Sequence, residues 1–87
     1  MFGSLREGLR EVARGFDPAL LTVEACVVAV EDLAVIEKTA AHLKGLAAAR
    51  VAESGRWRES GSKSPEEDLA KRTGTSQAKA KEQLDTA

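Results

Sequence analysis

Apolar residues in the first part of the chain recur at steps of 3, 4, 3 and 4: Phe2, Leu5, Leu9, Val12 and Phe16. This spacing places all five on one face of a helix, with Arg6, Glu7, Arg10, Glu11 and Arg14 around the rest. Gly15 is a natural stop and Asp17-Pro18 breaks the chain. Residues 1–18 therefore predict a short amphipathic helix with a face to bury.

A longer pattern runs from Thr22 to about Glu53, uninterrupted by Pro or Ser. Thr22 can act as N-cap, and Glu24 in the first turn suits the helix dipole. Residues 19–60 are assigned to this long helix, a rod of roughly 48 Å for its central 32 residues. Cys26, Ala29, Leu33, Ile36, Ala40, Leu43 and Ala47 alternate steps of 3 and 4, the seam of a coiled coil. Val23, Val27, Val30 and Ala34 form a second stripe, with Val28 and Val35 toward the opposite side. A helix apolar over most of its circumference needs more than one neighbour, and the first helix covers less than half of it. A second copy of the long helix is the simplest cover, so the seam predicts a homodimer. The alternative is a monomeric bundle completed by chain beyond Ala87.

Residues 61–87 read differently. Ser54-Gly55 loosens the long helix, which can still run through Gly55 to bring Trp57 over the end of the seam. Ser64-Pro65-Glu66-Glu67 combines an N-cap Ser, Pro at the first helical position and Glu at the third, a capping box. A helix Pro65–Thr73 should end at Gly74, and Thr75 or Ser76 should cap a last helix to about Leu84, with Ala78, Ala80 and Leu84 facing inward. A small residue at Ala70 and a glycine four residues later match helix-turn-helix spacing: the first permits close crossing, the second a left-handed turn. The same spacing also fits a plain helical hairpin with solvated lysines. In the DNA-binding reading, Gln77, Lys79 and Lys81 point outward, Thr75 and Ser76 lie near a phosphate, and Lys71 and Arg72 add charge. Between Leu69 and Lys81 there are four basic residues and no acidic one.

Composition narrows the function classes. In 87 residues, 13 Lys/Arg nearly balance 14 Asp/Glu, so no global charge draws the chain to nucleic acid or acidic lipid. Of the apolar 43%, 15 residues are Ala, and a chain this short buries only about 60% of its unfolded surface. One Cys excludes an intrachain disulfide, and one Cys with one His argues against a zinc cage. His42 is expected to be solvated on the polar side of the long helix. No carboxylate pair, phosphate loop or Ser/His/Asp set stands out, so the expectation is a non-enzyme without cofactor, metal or small-molecule ligand. With no membrane span or signal sequence expected, the composition suggests a cytoplasmic protein.

Residues 22–87 also resemble an actinobacterial family, domain of unknown function 222, which often precedes an HNH endonuclease domain. The likeness lies in Leu46-Ala47-Ala48-Ala49-Arg50-Val51-Ala52-Glu53-Ser54-Gly55 with Arg56-Trp57. It continues in Ser62 and in Leu69-Ala70-Lys71-Arg72-Thr73-Gly74-Thr75-Ser76, then Ala78, Lys79-Ala80-Lys81 and Leu84. The resemblance implies a bacterial, DNA-associated setting and a family domain continuing past residue 87. The HNH motif is absent from these residues, so no nuclease activity is carried over. The combined expectation is an all-α module that binds DNA as a dimer through its C-terminal helix-turn-helix. The alternative is an oligomerisation or protein-interaction module that does not bind DNA.

Overall fold

The computed structural model describes residues 1–86, which are helical with short connections and no strand among them. Four α-helices follow in order: α1 (Gly3–Gly15), α2 (Val23–Ser54), α3 (Pro65–Thr73) and α4 (Gln77–Thr86). Short 3₁₀ turns, Pro18–Leu20 and Arg56–Ser60, sit before and after α2. The described helices include none long and apolar enough to cross a membrane.

The helix boundaries follow local hydrogen bonding. Asp17 accepts from the Ala19 N–H at 3.0 Å, and the Thr22 hydroxyl accepts from the Ala25 N–H at 3.1 Å. The Ser64 hydroxyl accepts from Glu67 N–H at 3.1 Å, while the Glu67 carboxylate reaches back to the Lys63 N–H at 3.2 Å. Helix α3 closes on Gly74, whose φ of 71° lies in the left-handed region. The Ser76 hydroxyl then accepts from the Lys79 N–H, opening α4.

One boundary differs from the sequence expectation. Helix α2 stops at Ser54, because Gly55 adopts φ 77° and turns the chain into the 3₁₀ segment. Trp57 lies in this 3₁₀ segment, and it lines one cavity together with Ala47, the last residue of the seam. Its indole N–H donates to the Ala52 carbonyl at 3.1 Å, satisfying one of the carbonyls left open at a helix end. The ring lines a small cavity of about 170 Å³ with Ala48, Pro65 and Leu69.

The chain divides into two compact units, Met1–Ala34 and Val35–Ala87. In the first, no side chain is buried, and only Cys26 and Ala29 are half-buried. The α1 stripe of Phe2, Leu5, Leu9, Val12 and Phe16 is exposed along its whole length. The second unit holds the core: Ala48, Leu69, Ala70 and Ala80 are buried, with Leu84 packed against them. Ala78, expected to face inward, is exposed.

Candidate functional site

The hairpin α3–α4 is built around Asp68, which is 2% exposed. Its carboxylate accepts from Arg72 Nε at 2.6 Å and from the Ser60 hydroxyl at 2.7 Å, with Ser62 Oγ 2.9 Å from that of Ser60. The Arg72 guanidinium, followed by the Ser60 hydroxyl, holds the Asp68 carboxyl below its ordinary range, and the same pairing raises Arg72. Glu67 is also lowered, first by the Lys63 N–H and then by Lys71, whose ammonium lies 3.3 Å away. Two of the four basic residues between Leu69 and Lys81 are therefore engaged within their own helix. The burial of Asp68 and its bond to Ser60 depend on the 3₁₀ turn folding back onto α3.

Past the turn, the Thr73 hydroxyl donates to the Leu69 carbonyl at 2.8 Å and lies 3.0 Å from that of Thr75. Thr75, Ser76, Gln77, Lys79 and Lys81 are all exposed. On α4, Ala80 is buried and Leu84 packs against the core, whereas Ala78 is exposed.

On α2 the hairpin occupies a stripe of small residues. Gly45 and Ala48 are buried, the Ala41 carbonyl accepts from Gln83 Nε2 at 3.5 Å, and the Ala52 carbonyl accepts from Trp57. Ala41 and Ala48 each follow a seam residue, Ala40 and Ala47, and so lie about 100° further around the helix. The seam is left uncovered: Leu33, Ile36 and Leu43 are 51%, 45% and 43% exposed, Ala40 and Ala47 are exposed, and Cys26 and Ala29 are half-buried. The Cys26 thiol lies 3.8 Å from the Pro18 carbonyl.

A cleft of about 610 Å³ opens between α2 and the hairpin, lined by Lys38, His42, Lys44, Gly45, Thr75 and Lys79, among others. The sequence placed His42 on a solvated face, and it is exposed; its position beside α4 depends on a contact across forty residues. Among the described residues, no three His, Cys, Asp or Glu side chains gather to hold a metal ion. Set against protein-family models, curated proteins and solved structures, the chain matches none.

Proposed function

We propose that the chain is a non-catalytic helix-pairing module, in which the α2 seam of one copy packs on that of a second. The observation that carries this reading is apolar exposure. Leu33, Ile36 and Leu43 of the seam lie open to solvent, as do Val23, Val27, Val30 and the α1 stripe. Leu33→Asp with Ile36→Asp places two carboxylates on the seam, and sedimentation velocity should then show monomer or unfolded chain. A folded, unchanged dimer would remove the seam from the proposal.

A second reading, helix-turn-helix contact with double-stranded DNA, is favoured by the left-handed Gly74 turn and by the exposure of Gln77, Lys79 and Lys81 on α4. In this reading Gln77 and Lys79 face base edges, Lys71 and Lys81 reach phosphates, and Thr75 and Ser76 approach a phosphate at the helix start. Arg72 contributes less, because Asp68 holds its Nε. The resemblance to the HNH-associated family supports the same reading. Lys79→Glu with Lys81→Glu should weaken binding to a random-sequence duplex and reduce its salt slope by about 1, the share of the Lys81 phosphate contact. Unchanged affinity and slope would assign α4 a structural role.

A further inference from the structure

Basic side chains from two helices meet at the α2–α4 cleft in a chain whose net charge is only −1. Several cations are matched within one helical turn: Arg10 with Glu7, Arg14 with Glu11, Arg56 with Glu59, Lys71 with Glu67 and Arg72 with Asp68. Lys38 and Lys44 lack such a partner along the helix. Neither has an acidic residue three or four positions away on the helix, since the positions around Lys44 are all Ala and those around Lys38 are Ala34, Val35, Ala41 and His42. Lys79 faces them from α4, and among the described residues Glu82 is the one carboxylate on the cleft wall.

We propose that this cleft binds a phosphate-bearing ligand. Three ammonium groups against one carboxylate leave a surplus of positive charge, and Lys serves phosphate as a point charge with freely rotating donors. The Thr75 hydroxyl and the His42 ring add polar groups at the rim, and the small residues Ala41 and Gly45 leave room for oxygens to approach α2. At about 610 Å³ the cleft falls in the size range of small-molecule sites and exceeds a single inorganic phosphate. A nucleoside phosphate and two adjacent phosphodiesters of a nucleic-acid strand share this chemistry. The site depends neither on seam pairing nor on Lys81, which lies outside the cleft lining.

The test uses the full chain at about 50 mM salt with two probes, ATP by calorimetry and a random-sequence DNA duplex by fluorescence anisotropy. At least one should bind, and Lys38→Glu with Lys44→Glu should weaken that binding about tenfold or more, with unchanged circular dichroism. Lys38→Gln with Lys44→Gln, which removes charge without reversing it, should fall between. Weakened ATP binding, with Lys81→Glu unaltered, identifies a free nucleotide as the source. Duplex binding alone, weakened by the Lys38 and Lys44 substitutions, identifies a nucleic-acid strand. No variant is needed for a third measurement, in which the bound probe should shift the amide resonances of Gly45 and Thr75. The proposal is overturned if neither probe binds, if both double variants bind as the parent does, or if those amides stay unmoved.

Discussion

Asp68 shows how one buried carboxylate can organise a small hairpin. It sits at the third position of α3 after the proline, where the dipole favours negative charge, and it gathers Ser60 and Arg72 onto one point. Because these partners lower its folded-state pKa, it adds stability in full above the unfolded aspartate value of about 3.9. That stability is lost as pH falls through the lower folded value. Urea unfolding midpoints should therefore stay level between about pH 7 and 5 and decline below about 4. Asp68→Asn should lower stability at neutral pH by about 1 kcal/mol, a modest loss because the guanidinium is half exposed, and should flatten the acid decline. An undiminished acid decline in that variant would assign the effect to other carboxylates. None of this was legible from periodicity, which sees only an acidic residue near a helix start.

At the scale of elements, the boundaries set by neighbouring residues were readable from sequence. Ser64 with Pro65, Thr22 and Gly74 each act through bonds or dihedral angles spanning fewer than five residues. Gly55 was ambiguous because a single glycine can continue or end a helix, and the left-handed φ decided it. The docking stripe on α2 stayed hidden for a different reason: Ala41, Gly45, Ala48 and Ala52 carry little hydrophobic signal beside the Leu and Val of the seam. The α2–α4 cleft was hidden with it, since Lys38 and Lys79 meet only once that stripe is occupied. Two glycine substitutions separate turn from helix. Gly74→Ala places a side chain at φ 71° and should cost about 1 kcal/mol. Gly8→Ala lies inside α1, where an added Cβ meets nothing within 4 Å, and should raise helicity and gain about 0.5–1 kcal/mol. Equal effects of the two on circular dichroism and urea midpoint would contradict the assigned backbone conformations.

For the whole molecule, the governing fact is that burial among the described residues is confined to residues 45–80. A chain with so little enclosed apolar surface gains its stability from association if the seam pairs as proposed. Its thermal midpoint should then depend on concentration. Raising protein from about 1 to 100 µM corresponds to about 2.7 kcal/mol by mass action and should move the midpoint upward by several degrees. A midpoint that stays fixed over this range would assign the folded state to the single chain. This imbalance between the units was not legible beforehand, because an amphipathic pattern shows that a face needs cover without showing where the cover comes from.

Trp57 also has a spectroscopic consequence. With no tyrosine in the chain, absorbance near 280 nm and the emission it excites come from this one indole. Its N–H is fixed to the Ala52 carbonyl, and the Arg58 guanidinium sits 4.8 Å from the ring centroid. The emission maximum and quantum yield therefore report on the junction after α2 alone, while α1 is optically silent. Far-ultraviolet circular dichroism, by contrast, weights every helix. Following both signals through one denaturation turns a single aromatic residue into a test of cooperativity: coincident curves mean that the residues around α1 and those around Trp57 melt together, and separated curves mean that they melt in turn.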